Sequence, residues 1–72
     1  MQYGNLVTFN KVPGPNTPGV PHSGKIGVAT VISENAISPR GLMFNPDLWV
    51  EVMWPTGECT RCFKKDLDVV NL

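Results

Sequence analysis

The sequence predicts an all-β fold, five short strands curling into a small barrel. Three observations predict it. β-branched and aromatic residues gather in short runs, such as IGVATVIS at residues 26–33 and DLWVEVMW at residues 47–54. Gly and Pro, seven of each in 72 residues, make up about a fifth of the chain where roughly 12% is usual. They fall between those runs as punctuation. One segment, Trp54-Pro55-Thr56-Gly57-Glu58, carries the chemistry of a tight hairpin. A chain of this length makes one domain, residues 1–72, and buries only about 60–65% of the surface its unfolded form exposes. A small closed or partly open barrel suits that size, because closure removes most edges.

The elements follow in order. Residues 4–10, GNLVTFN, read as the first strand, with Leu6 and Phe9 as its bulk and Val7 and Thr8 as β-branched filling. Residues 11–25 carry Pro13, Pro15, Pro18 and Pro21 with Gly14, Gly19 and Gly24. That density of proline excludes a helix or a central strand, so this is a long first loop with polyproline-like pieces. It is either a passive connection or a packed, functional excursion. Residues 26–33 are the second strand and the most β-prone stretch. Residues 34–46 form a second loop with a turn at Pro39-Arg40-Gly41, and Leu42, Met43 and Phe44 are apolar enough to need packing. Residues 47–54 make the third strand, 58–63 the fourth, and 67–72 a short fifth. KKDL at residues 64–67 reads as a single 3-10 turn before the last strand.

The hairpin sets register. Pro55 presets φ for a type I turn and Gly57 supplies the left-handed position of a G1 bulge. Trp54 then pairs with Glu58, Met53 with Cys59, Val52 with Thr60, Glu51 with Arg61, Val50 with Cys62 and Trp49 with Phe63. Alternation sorts these residues into two faces. Val50, Val52, Trp54, Thr60 and Cys62 share one. Glu51 opposite Arg61 on the other is an expected cross-strand ion pair worth about 0.2–1 kcal/mol. Burying both charges would cost several kcal/mol, so the Glu51/Arg61 face is placed outside. Trp49, Met53 and Phe63 are then exposed around the pair, and aromatic, Met and Arg side chains are the composition of interface hot spots. The competing expectation is that a long loop folds back over them. On the interface reading, the partner-binding residues are Trp49, Glu51, Met53, Arg61 and Phe63, with Pro13, Pro15, Pro18 and Pro21 of the first loop.

Cys59 and Cys62 form a C-x-x-C pair, but residues i and i+3 of a strand point to opposite faces. The favoured reading is two plain strand cysteines. A zinc site shared between molecules and a redox pair are the lesser alternatives, since structural zinc wants four ligands and redox pairs sit at helix N-termini. His22 beside Ser23 reads as solvated, and so do Asp66 and Asp68. No Ser-His-acid set, phosphate loop or H-E-x-x-H is present in the sequence, so neither enzymatic activity nor a cofactor is expected.

Six basic and six acidic residues balance, and the basic ones are scattered. Nucleic-acid binders usually carry a basic excess or stripe, so the composition does not call for such a partner. Near-zero net charge offers little repulsion against a homo-oligomer. MQYGNLVTF has no basic region followed by an apolar run, so no signal peptide is expected, and no apolar stretch has the length of a membrane span.

The motif order G-N-L-V, then G-K-I-G-V-A-T-V-I from Gly24, then W-V-E-V-M-W-P-T-G-E from Trp49, then K-D-L-D-V-V from Lys65, resembles SH3-like small barrels. It is most similar to the short standalone ones encoded by tailed phages of cyanobacteria and other marine bacteria. The resemblance spans nearly the whole chain except the Pro-rich loop, which is longer here, and its motifs speak to fold rather than function. It implies a phage structural or accessory protein, such as a capsid decoration or a tail or neck component. Such a protein acts in the virion or the host cytoplasm and binds a virion or host protein. The alternative is a regulatory adaptor that binds a host protein or nucleic acid during infection.

Overall fold

The computed structural model describes residues 1–38 and 48–70. The strands are β1 (Leu6–Phe9), β2 (Ala29–Ser33), β3 (Trp49–Met53), β4 (Cys59–Phe63) and β5 (Leu67–Val69). A 3-10 turn at Lys64–Asp66 joins the last two. Each element lies within the run that the sequence assigns it, trimmed at the ends. The expected turn at Pro39-Arg40-Gly41 and the packing of Leu42, Met43 and Phe44 lie outside the described residues.

The strands form one antiparallel sheet in the order β4-β3-β2-β1-β5. The sheet is open, with β4 and β5 as its edges, and among the described residues no strand pairing closes it into a barrel. Pairing runs slightly past the strand ends. Gly4 N–H donates to the Val31 carbonyl at 2.9 Å, and Val31 N–H to that of Asn5 at 2.9 Å. On the other side of β1, Asn10 N–H reaches the Asp66 carbonyl at 2.9 Å and Val70 N–H that of Leu6 at 2.7 Å.

Alternation builds the core. Val7, Ala29, Val31, Val50, Val52, Trp54, Cys62 and Leu67 are buried together on one face of the sheet, with Met1 and Phe9 packed against them. Phe9 stacks on Trp54 with ring centroids 5.4 Å apart. Between Val31 and Ser33 the register of β2 against β3 shifts, since Val31 faces Val52 but Ser33 faces Glu51. An extra residue there bends and twists a strand, which lets a small sheet wrap its core.

The β3–β4 hairpin has the register read from its turn, from Met53 opposite Cys59 to Trp49 opposite Phe63. Trp54 N–H donates to the Glu58 carbonyl and Gly57 N–H to the Trp54 carbonyl, both at 2.8 Å. Gly57 sits at φ +90°, where a side chain would be strained.

Candidate functional site

Register carries one row of side chains across four strands on the face opposite the core. Leu6 faces Thr30, Thr30 faces Met53, and Met53 faces Cys59. Met53 is 43% exposed, Cys59 is exposed, and Leu6 and Thr30 are half-buried. Val28, two residues before Thr30, is also exposed. The row is apolar or uncharged throughout. Sequence reading found Met53 from the hairpin but missed Leu6, Val28 and Thr30, because their place beside Met53 depends on the pairing of β1, β2 and β3. The signal available was the alternation of residues 28–31 alone.

The rest of the expected patch divides. Trp49 is not exposed: only 8% of its surface meets solvent. Its ring lies 4.1 Å from that of Phe63, tilted by 35°. The start of the second loop is tied to the same end of the sheet. Ala36 is buried, and its N–H donates to the Trp49 carbonyl at 3.0 Å. Arg61 Nη1 donates to the Ser38 carbonyl at 3.3 Å, and Lys64 Nζ to Asn35 Oδ1 at 3.5 Å. Phe63 is half-buried, with Lys65 Nζ 4.9 Å above its ring. Trp49 is therefore a second small packing centre, on the face assigned to solvent.

Glu51 and Arg61 are opposite in register, but among the described residues no ion pair joins them. Arg61 reaches for the Ser38 carbonyl, and Glu51 remains half-buried beside the row. A carbonyl held at fixed distance competes well with a carboxylate at the surface, whose attraction water screens.

The four loop prolines separate as well. Pro15 is exposed, Pro13 and Pro18 are half-buried, and Pro21 is fully buried. Pro21 thus has no surface for a partner, contrary to its expected role. The loop around it is packed rather than passive. Gly19 lies at φ +90°, and a Cβ there would overlap Cys62 Sγ and stand 2.9 Å from the Arg61 carbonyl oxygen. Thr60 Oγ1 donates to the Gly19 carbonyl at 2.6 Å and accepts from Trp54 Nε1 at 2.7 Å. Cys62 Sγ adds a longer bond to the same carbonyl at 3.6 Å. Further along, Ser23 N–H donates to Glu58 Oε2 at 3.1 Å, and Thr56 Oγ1 donates to Glu58 Oε1 at 2.8 Å. These bonds from Ser23 and Thr56 hold the Glu58 carboxyl below the ordinary glutamate range.

Between this loop and β4 lies an open cleft of about 390 Å³, lined by Gly19, Val20, Glu51, Cys59, Thr60 and Arg61. Its chemistry is modest. Cys59 is an exposed free thiol and Cys62 a buried one, whose pKa burial pushes up. The two point to opposite faces, as strand geometry requires. Among the described residues no group of three or more His, Cys, Asp or Glu is placed to hold a metal ion. No helix among them is long and apolar enough to cross a membrane. His22 is exposed beside Ser23, Asp68 is exposed and Asp66 half-buried. Comparison with protein-family models, curated proteins and solved structures returned no match to this chain.

Proposed function

We propose that this chain is a non-enzymatic protein-interaction module with an SH3-like arrangement, serving as a structural or accessory component of a tailed phage. The observation that carries the interaction reading is the row Leu6, Thr30, Met53 and Cys59, in which Met53 and Cys59 are exposed among the described residues, flanked by exposed Val28. Exposed apolar positions that are contiguous rather than scattered mark contact surfaces. Met53 is its centre, since a flexible thioether adapts to a partner's relief. Arg61 and Glu51 flank the row and supply a polar rim.

The SH3-like part of the reading draws support from the strand order β4-β3-β2-β1-β5, the 3-10 turn before β5 and the long first loop. The phage assignment rests on the motif resemblance. The docking residues are revised from the sequence expectation. Met53, Glu51 and Arg61 stay, Leu6, Val28, Thr30 and Cys59 join them, and Trp49 and Pro21 become structural.

The test is mass spectrometry of purified particles combined with cross-linking from residues around Met53. Particles that contain the chain, with cross-links to one neighbouring protein lost in Met53→Asp, are the expected outcome. Absence from particles sinks the virion reading. A Met53→Asp variant that keeps every cross-link sinks the assignment of the face.

A further inference from the structure

An edge strand presents a row of outward backbone N–H and C=O groups, and folded proteins defend such rows with charge, proline, shortness or cover. The two edges of this sheet are defended differently. β5 has three residues with Asp68 exposed at its centre, so it is short and charged. β4 has five residues, Cys-Thr-Arg-Cys-Phe, with one charge and no proline. The hairpin fixes which of its groups face outward. Trp54 and Glu58 close the ladder through the Trp54 N–H, so bonded pairs recur at Val52/Thr60 and Val50/Cys62. Cys59, Arg61 and Phe63 therefore turn their backbone groups away from β3.

Residues 19–23 stand against that outward side. Gly19 sits beside the Arg61 carbonyl, close enough that only glycine fits. Ser23 sits at Glu58, at the other end of the strand. The segment does not extend the sheet. Pro21 lacks an N–H, and the ties to β4 run through the side chains of Thr60, Cys62 and Glu58. The open cleft beside Cys59 and Arg61 shows that the segment covers the edge without pairing with it.

We infer that residues 19–23 are a guard over the β4 edge, and that this edge, with the guard displaced, pairs antiparallel with β4 of a second copy of the chain. The sequence of β4 favours that occupant. A two-fold axis at Thr60 sets Thr60 against Thr60 and Cys59 against Arg61 of the second copy. No like charges are then directly opposite, the two Arg61 side chains meeting only on the diagonal, the outward groups of Cys59 and Arg61 meet each other, and a cross-strand Thr pair is favourable. Zero net charge leaves little long-range repulsion between copies.

The test uses the full chain in sedimentation velocity over a wide concentration range. Gly19→Ala prevents the guard from seating. A Ser23→Pro, Glu58→Ala double variant releases its other tie and leaves the core alone. The native chain is expected at monomer mass and both variants at dimer mass, with the Cys59 and Arg61 amides exchanging about tenfold more slowly in the dimer. Adding Arg61→Pro, which removes an outward N–H, returns the variants to monomer. If Gly19→Ala fails to fold, the double variant decides. Folded variants that stay monomeric overturn the inference. So does a native chain already dimeric through these amides, or a dimer indifferent to Arg61→Pro.

Discussion

Trp49→Ala separates a structural role for this side chain from a docking role. Trp49 is 8% exposed and its ring lies 4.1 Å from that of Phe63. Truncating a buried Trp to Ala costs about 3–5 kcal/mol. Part of that is the aromatic pair, worth about 0.5–1.5 kcal/mol beyond its area. A chain of 72 residues has a total stability of about 4–11 kcal/mol. The substitution therefore removes between about a quarter and all of it. With an unfolding entropy of about 2.1 cal/mol/K per residue, a 3 kcal/mol loss lowers Tm by about 20 °C.

Urea unfolding followed by tryptophan fluorescence measures this directly, because Trp54 remains as the only tryptophan in the variant. The midpoint should fall steeply with the slope unchanged. Met53→Ala is the contrast: at 43% exposure it should stay within about 0.5 kcal/mol of the native chain and weaken partner binding instead. A Trp49→Ala variant with native stability and lost association would refute the assignment of Trp49 to packing.

Other outcomes test the remaining contacts. Thr60→Val deletes the hydroxyl between Trp54 Nε1 and the Gly19 carbonyl, leaving the indole N–H without its partner and the carbonyl with only the long Cys62 bond, and thermal melts should show a loss of about 1–3 kcal/mol. Thiol labelling of the native chain should modify Cys59 quickly and leave Cys62 protected until urea unfolds it, since one is exposed and the other is buried with a raised pKa. The Glu58 carboxyl is held below its ordinary range by bonds from Ser23 and Thr56, so its contribution to stability is present above that range. It is lost as pH falls through the lowered folded value, and stability measured against pH in Glu58→Gln should lack that acidic decline.

The hairpin was legible because its information is local. Pro55 and Gly57 fix the turn, the turn fixes the register, and the register places Val50, Val52 and Cys62 in the core. The 3-10 turn at Lys64–Asp66 was legible for the same reason. Trp49 was misplaced because the inside-outside decision leaned on Glu51 and Arg61 as an exposed ion pair. Face alternation is a good rule for one sheet against one core, but a loop can cover the second face. In the sequence Gly19 stands only as loop punctuation. Its φ and its closeness to Cys62 depend on a contact 43 residues away along the chain, and no local pattern announces that.

Magnitudes decide what kind of loop residues 11–25 make. Closing a flexible loop becomes costlier by only about 0.6 kcal/mol for each doubling of its length, so extra length alone weighs little on this domain. Four prolines lower even that cost by restricting the unfolded chain. Against it stand the burial of Pro21 and the Gly19 carbonyl bonded to Thr60 and Cys62. Net hydrogen bonds are worth about 0.5–1.5 kcal/mol each. These contacts offset the small cost of the added length. The same prolines keep it from becoming a sixth strand, because Pro21 cannot donate to a ladder. The loop can thus lie against the β4 edge at Gly19 and Ser23 without extending the sheet, and among the described residues Met53 and Val28 stay exposed on the opposite face.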